Sequence, residues 1–113
     1  MDNDIFNKYL YDIELCINSI DEFLVNDNSF ENYSKNKMLR NAVERNLEII
    51  GEAMNQILKL NPSINISNAR RIVDARNKII HSYDEIEDVN IWIIVKNHLP
   101  ILKQEINHLL NQK

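Results

Sequence analysis

The chain has 113 residues with one glycine, two prolines and one cysteine, which leaves room for one domain over residues 1–113 and excludes a disulfide-rich fold. Sheet proteins need many tight turns whose positive φ angles glycine usually supplies, so a single glycine favours a few long helices. The net charge of −4 argues against a general nucleic-acid-binding surface. The charge is nevertheless uneven, since residues 1–34 carry one basic and eight acidic residues, and residues 35–83 carry nine basic and four acidic residues. This basic middle is either a local phosphate-binding surface or an ordinary charged surface divided by chance.

The compartment is predicted from cysteine usage and from the distribution of apolar residues. Cys16 has no partner for an internal disulfide, and its isoleucine neighbours predict that it is a small buried hydrophobe. The acidic N-terminus lacks the pattern of a signal peptide, and the longest apolar run, residues 91–95, is too short to cross a bilayer. We therefore expect a cytoplasmic protein with no membrane partner.

Two long stretches have apolar residues at steps of three and four, the spacing of an amphipathic helix. The first predicts a helix over residues 6–23. The second predicts a helix that begins within residues 32–37, with Ser34 as its N-cap, and ends near Leu60. Gly51 lies in the middle of the second stretch, where glycine costs about 1 kcal/mol relative to alanine. We therefore expect Gly51 to permit the close approach of a neighbouring helix.

Two shorter helices follow. A cap at Ser67 or Asn68 precedes a predicted helix over residues 70–80, and a regular apolar stripe predicts a fourth helix over residues 92–109. Pro100 lies inside the fourth helix, which it should kink or break. Four amphipathic helices with short connections predict an all-α, four-helix up-and-down bundle.

One segment, residues 76–83, combines a cation, an imidazole and a phenol. Positions five apart on a helix lie about 140° from each other, so Arg76 and His81 do not share a face, whereas Asn77 and His81 do. We therefore expect His81 to lie where the helix ends, with Asn77 orienting its ring and Arg76 reaching the same cleft from one side. The spacing alone leaves ordinary roles open, namely a histidine interacting with the helix dipole, a solvated arginine and a half-buried Tyr83.

Other catalytic patterns are weak. The three histidines lack the spacing of a helical zinc pair, and there is no glycine-rich phosphate loop, so we predict neither a metal site nor a cofactor. Glu48 and Glu52 share a helix face with Arg45. We interpret this face as solvated and charged rather than as a catalytic carboxylate pair.

Three segments resemble a known family. Residues 76–83 read R-x4-H-x-Y, which resembles the motif of HepT-like toxins, a branch of the HEPN domain superfamily. Residues 42–53 (AVERNLEIIGEA) resemble the second-helix signature of that family, and residues 92–100 (WIIVKNHLP) are similar to its W-x-x-V-x-x-x-L-P fourth helix, in which the proline is tolerated. The motifs follow the order and spacing of the family over about residues 39–106.

The resemblance implies a HEPN-like homodimer with both R-x4-H-x-Y segments in one active-site cleft at the interface. It also implies a metal-independent endoribonuclease, the toxin of a type VII toxin–antitoxin system, with Arg76 and His81 as catalytic residues and Asn77 in support. Transfer RNA is one candidate substrate. Because RNA carries its own nucleophile, the 2′-hydroxyl, the protein has only to move protons and stabilise charge at phosphorus, which suit histidine and arginine.

The resemblance further implies that Tyr83 is the regulatory residue, to which the cognate antitoxin, a minimal nucleotidyltransferase, adds AMP. The bulky anionic adduct would block the cleft two residues from His81. The acidic run at residues 84–88 departs from what RNA binding favours. Two alternatives remain open: a non-catalytic HEPN subunit that only binds the nucleotidyltransferase, and a structural bundle whose motif serves the dimer interface.

Overall fold

The computed structural model describes residues 3–26, 28–81 and 87–111, and the regular elements in these ranges are all helical. The helices are α1 (Asn3–Phe23), α2 (Phe30–Lys35), α3 (Lys37–Leu60), α4 (Ala69–Ile80), α5 (Asp88–Ile93) and α6 (Leu99–Leu110), with a π-helical turn at Ile94–His98 between α5 and α6. Helix α3 packs between α1 and α4, and α6 packs against α1. The predicted all-α bundle is therefore confirmed.

The apolar stripes predicted from the sequence meet in one core. Every α-helix contributes fully buried members to it, and they include Leu10, Ile13, Ile20, Tyr33, Val43, Ile50, Met54, Ile57, Ile72, Ile91, Leu102 and Ile106. Cys16 is buried among them, and burial raises the pKa of its thiol. Cys16 is therefore the buried hydrophobe that the sequence indicated.

The predicted start of the second helix is wrong in detail, because a separate short helix precedes it. Ser29 caps α2 by accepting a hydrogen bond from the backbone N–H of Asn32 at 3.2 Å. Helix α2 ends before Asn36. The side chain of Asn36 accepts a hydrogen bond from the backbone N–H of Leu39 at 3.0 Å and so caps α3. Ser34 is not a cap but lies inside α2, where its hydroxyl is 3.4 Å from Oδ2 of Asp88.

Aromatic packing holds α2 against α5. The ring centroid of Tyr33 lies 5.3 Å from that of Trp92, and the ring of Phe30 meets Trp92 edge-on at 6.2 Å. Tyr33 is completely buried, and its hydroxyl has no hydrogen-bond partner in the described part of the chain. Burial, and then the carboxylates of Glu44 and Asp88, raise the pKa of Tyr33. This phenol therefore stays protonated and unsatisfied.

Removing the Tyr33 hydroxyl is expected to stabilise the fold. A buried polar group without a partner is unfavourable, so Tyr33→Phe should raise the free energy of unfolding by about 1 kcal/mol. Urea denaturation followed by circular dichroism measures the change. Tyr33→Leu, which also loses the contact with Trp92, is the control and should be destabilised. A clear loss of stability in Tyr33→Phe would contradict the prediction, since it would mean that the hydroxyl has a partner.

The helix is not broken at Pro100. It widens into a π-helical turn at Ile94–His98, just before the proline. The backbone N–H of Leu99 bonds to the carbonyl of Ile94, five residues back. Proline has no N–H to donate, and its ring clashes with the carbonyl four residues before it in a regular helix. A π-helical turn relieves that clash, and the helical hydrogen bonding continues from α5 through the turn into α6. The predicted disturbance at Pro100 therefore takes the form of a bulge.

Helix α4 begins without the side-chain cap that the sequence suggested. Asn68 occupies the N-cap position, but it has a positive φ of 61° and makes no side-chain cap bond. The backbone N–H of Ser67 donates instead to Oε2 of Glu105, on α6, at 2.9 Å. A contact between distant segments therefore helps to fix the start of the helix that carries the candidate site.

Candidate active site

Arg76 on α4 lies directly against Gly51 on α3. A Cβ atom added to Gly51 would come within 2.2 Å of Cβ of Arg76, 2.8 Å of its Cγ and 3.2 Å of the carbonyl oxygen of Ile72. No larger residue fits between the two helices without a shift of the backbone. The prediction that Gly51 permits close helix approach is therefore confirmed, and the neighbour is the arginine of the R-x4-H-x-Y motif.

The guanidinium of Arg76 is held on two sides. Its Nη2 lies 2.8 Å from Oε1 of Glu52, and its Nη1 donates to Oδ1 of Asn77 at 2.8 Å. Its Nε is buried and has no hydrogen-bond partner in the described residues. The side chain is 24% exposed, so one surface of the group remains accessible. Arg76 is thus a positioned cation rather than a freely solvated one.

Arg76 lines a cleft of about 270 Å³ between α1, α3 and α4. Its charged lining residues are Asp12, Arg45, Glu48, Glu52 and Arg76. Within this set Arg45 pairs with Glu48 at 3.5 Å, as Arg76 does with Glu52. Lys8 lies 2.9 Å from Asp12. The charges of the cleft are therefore largely paired in the single chain.

His81 lies at the end of α4, as predicted. Its backbone N–H donates to the carbonyl of Asn77 at 2.9 Å, and it is the residue that closes the helix. The residue is exposed and does not line the Arg76 cleft. The structure thus brings Arg76 and Asn77 together and leaves His81 on a separate surface of the same helix. The Asn77 side chain accepts a hydrogen bond from Arg76, and within the described residues it makes no hydrogen bond to the His81 ring.

Tyr83 and the first three residues of the acidic run lie outside the described residues, so their predicted roles remain predictions. The end of the run is described. Glu87 is the N-cap residue of α5, and Asp88 begins that helix. Oδ1 of Asp88 lies 3.7 Å from Nε of Arg40. Part of the acidic run therefore has a structural role at the start of α5.

Sequence reasoning missed the role of Glu52. Its helix face was expected to be solvated and charged, and Glu48 does lie there beside Arg45 at 3.5 Å. Glu52 instead bonds to Arg76 through Oε1 and accepts from Gln56 at 3.1 Å through Oε2. The adjacent Gly51 could have indicated this contact. A residue that follows a glycine at a close helix–helix contact is well placed to reach the neighbouring helix. Glu52 is therefore the third member of the site, with Arg76 and Asn77.

Two further properties concern metals and membranes. Within residues 3–26, 28–81 and 87–111, no group of three His, Cys, Asp or Glu side chains is placed to hold a metal ion. None of the helices in the same ranges is both long enough and apolar enough to cross a membrane.

The protein is a helical bundle in which an arginine is fixed between the second and third long helices, five residues before the histidine that ends α4. The sequence model of the HepT-like family, described as ribonuclease HepT-like, matches residues 13–109. The chain therefore belongs to the HepT-like ribonuclease family.

Several relatives support this assignment. The chain is 37% identical over 102 residues to "Putative RNase MJ1380" of Methanocaldococcus jannaschii, which covers 87% of this chain and 90% of that protein. It is 36% identical over 105 residues to "Probable ribonuclease HepT" of Thermococcus cleftensis, with 89% and 92% covered. Another relative, "Putative RNase TTE0752" of Caldanaerobacter subterraneus, is 31% identical over 86 residues, which cover 75% of this chain and 77% of that protein. No solved structure matches the chain at a significant level.

Proposed function

We propose that this chain is a metal-independent endoribonuclease and the cytoplasmic toxin of a type VII toxin–antitoxin pair. The observation that carries the proposal is the fixed guanidinium of Arg76, held at 2.8 Å by both Glu52 and Asn77, five residues before the exposed His81. Membership of a family whose relatives are named as ribonucleases supports the same activity. The proposed catalytic residues are Arg76 and His81.

The reaction is a transesterification within the RNA. A histidine imidazole takes the proton of the 2′-hydroxyl, and the 2′-oxygen attacks the adjacent phosphorus. The bond from phosphorus to the 5′-oxygen breaks, and that oxygen takes a proton from an imidazolium. The products are a 2′,3′-cyclic phosphate and a 5′-hydroxyl end. Arg76 stabilises the charge that develops on the phosphate oxygens, which is the role of a positioned cation in phosphoryl chemistry.

A homodimer provides what one chain lacks. One His81 is unable to serve as base and acid at the same moment, whereas two copies in one cleft supply both groups. His81 lies outside the Arg76 cleft of its own chain. We therefore propose that the cleft is completed at an interface between two copies, with the arginine of each near a histidine end of α4.

Regulation is proposed to act at Tyr83. The cognate antitoxin, a minimal nucleotidyltransferase, would transfer AMP to the phenol oxygen and release pyrophosphate from ATP. The spacing in the sequence supports this role, because Tyr83 is two residues from His81. A phosphodiester there adds a negative charge that repels an RNA phosphate and adds bulk that occludes the cleft.

The cleft also offers an argument for a second function. Its described lining has three carboxylates and only two cations, a balance that is unfavourable for a polyanion. The alternative is a HEPN subunit that binds the nucleotidyltransferase without cutting RNA. This alternative predicts that the purified chain binds its partner and leaves RNA intact.

An RNA cleavage assay distinguishes the nuclease from the non-catalytic binding subunit. The purified chain is incubated with a cellular RNA mixture in excess EDTA. The nuclease proposal predicts cleavage that EDTA does not inhibit, with products that resist 3′-end ligation until the cyclic phosphate is opened and the resulting phosphate is removed. A chain with both Arg76→Ala and His81→Ala, purified in the same way, is the control for contaminating nuclease. Equal cleavage by both preparations, or none by either, would contradict the proposal.

The proposed regulation has a separate test. The neighbouring reading frame should encode a short protein with the G-S-x10-D-x-D nucleotidyltransferase pattern. Co-expression of the two proteins should add adenylate increments to the intact mass of this chain, mapped by peptide sequencing to Tyr83. A Tyr83→Phe chain should keep its unmodified mass, and its toxicity should no longer be neutralised by transfer of AMP.

A further inference from the structure

A second groove runs along the opposite side of α4 from the Arg76 cleft. It lies between α4 and the α5–π segment, has a volume of about 530 Å³, and shares no lining residue with the cleft. Its α4 side is formed by Arg71, Asp74 and Lys78, which share a helix face because they are three and four residues apart. Asn90 and His98 lie on the other side.

The cations of this groove are unpaired within the described part of the chain, unlike those of the cleft. Neither Arg71 nor Lys78 forms an ion pair there, although Asp74 lies between them on the same face. The two cations exceed the one carboxylate among the described lining residues. Unpaired cations that face a common concave surface are available to an anionic ligand.

His98 places an imidazole in the groove beside Arg71. Burial lowers the pKa of its imidazole, and the positive charge of Arg71 lowers it further, so these two side chains are close enough to interact. The π-helical turn that accommodates Pro100 ends at His98, so the bulge helps to determine where this side chain lies. The neutral imidazole that results from the lowered pKa offers the groove one hydrogen-bond donor and one acceptor beside the charge of Arg71.

The groove leads toward the proposed catalytic histidine. Seven residues separate Arg71 from Lys78, about 10 Å along the helix axis, and this length covers more than one backbone phosphate. Lys78 lies one turn before His81 on a neighbouring face. A nucleic-acid strand that follows the groove past Lys78 therefore arrives at the end of α4, where His81 is exposed.

We infer that this groove binds the sugar–phosphate backbone of the RNA substrate, with Arg71 and Lys78 as its phosphate contacts. The inference rests on the proposed ribonuclease function, which supplies the class of ligand. In this arrangement the groove supplies affinity for RNA, and Arg76 and His81 carry out the cleavage. Such a division explains how a chain with a paired, partly acidic cleft holds a polyanion.

The test measures binding of a fluorescently labelled, mixed-sequence single-stranded RNA by anisotropy. All variants carry His81→Ala, so that the RNA is not consumed. The groove variant combines Arg71→Gln with Lys78→Gln. The matched control combines Lys37→Gln with Lys59→Gln, two exposed lysines of α3 with the same change in charge and no place in the groove. Circular dichroism checks that each variant is folded.

The groove variant is expected to bind RNA about tenfold more weakly at low salt, and the slope of log affinity against log salt should fall by about 1.4, or 0.7 for each lost contact with a single strand. In the catalytically intact chain the same pair of substitutions should raise KM more than it lowers kcat. The control should match the unsubstituted chain in both assays.

Several results would overturn the inference. One is equal RNA binding by the groove and control variants, and another is absence of RNA binding by the starting chain. A third is a change in the oligomeric mass of the groove variant, measured by light scattering, which would make the groove a contact between copies. Loss of affinity for the nucleotidyltransferase, with unchanged RNA binding, would assign the groove to that protein instead. Groove-dependent RNA binding without cleavage would refute the nuclease proposal alone.

Discussion

An Arg76→Ala chain is expected to cut RNA about 100- to 1000-fold more slowly than the unchanged chain, the usual cost of removing one positioned group that stabilises developing charge. The guanidinium is prearranged, since Glu52 and Asn77 each hold one of its nitrogens at 2.8 Å. Alanine removes this cation, and water is a poor replacement in a partly buried site. Single-turnover cleavage of a labelled RNA measures the change in the chemical step.

Arg76→Lys is the informative companion. Lysine keeps the charge but presents one nitrogen in place of a planar fork, so it loses one of the contacts with Glu52 and Asn77. Its rate should fall between those of the alanine variant and the unchanged chain. If lysine restores full activity, the positive charge is sufficient and the fixed geometry has no catalytic role.

Combining Arg76→Ala with His81→Ala tests whether the two residues act together. Groups that serve one transition state give losses that do not add, so the double variant should be little slower than the slower single variant. Losses that multiply would indicate that Arg76 and His81 contribute to different steps.

The Arg76 variants also discriminate against a purely structural bundle. In that alternative the motif serves the dimer interface, so Arg76→Ala should reduce the melting temperature or the oligomeric mass without a separate catalytic effect. The nuclease proposal instead predicts slower cleavage with little change in melting temperature or oligomeric mass. Arg76 is partly exposed, so its loss leaves the apolar core intact. Urea denaturation and light scattering on the same samples as the cleavage assay decide between the two.

Periodicity was enough to predict the helices that build the core. The stripes on α1, α3 and α6 each bury a continuous face, so local spacing and tertiary packing agree. Helix α2 was missed because six residues contain too little of an amphipathic repeat to be recognised. Its position depends on Tyr33 packing against Trp92, a contact between residues far apart in the chain.

The sequence predicted those features of the candidate site that depend on residues close together in the chain. The spacing of Arg76 and His81 on one helix predicted different faces and a helix end at His81, as the structure has them. The ion pair of Arg76 with Glu52 spans 24 residues and depends on how closely α3 and α4 approach, which no helical period encodes. The groove that includes Arg71 and His98 likewise joins two segments only after folding.

Gly51→Ala is expected to lower the free energy of unfolding by up to about 2 kcal/mol, because inserting a methyl group into a packed contact usually costs about 1–3 kcal/mol. The new Cβ would lie 2.2 Å from Cβ of Arg76, so α3 and α4 must separate. Replacing a glycine inside a helix by alanine gains about 1 kcal/mol, which reduces the loss without reversing it. Because the same movement carries Arg76 away from Glu52, cleavage should slow as well. Urea denaturation and the cleavage assay measure the two effects.

Asn55→Ala, at a half-buried position on the same helix, is the control for helix propensity and should leave stability unchanged or slightly higher. A second variant tests the clash itself. Arg76→Gly removes the Cβ that the new methyl group meets, so Gly51→Ala should be less costly in that background, and a double-mutant cycle gives the difference. If Gly51→Ala is instead as stable as the unchanged chain, α3 and α4 do not pack this closely, and the placement of Arg76 by Gly51 and Glu52 is wrong.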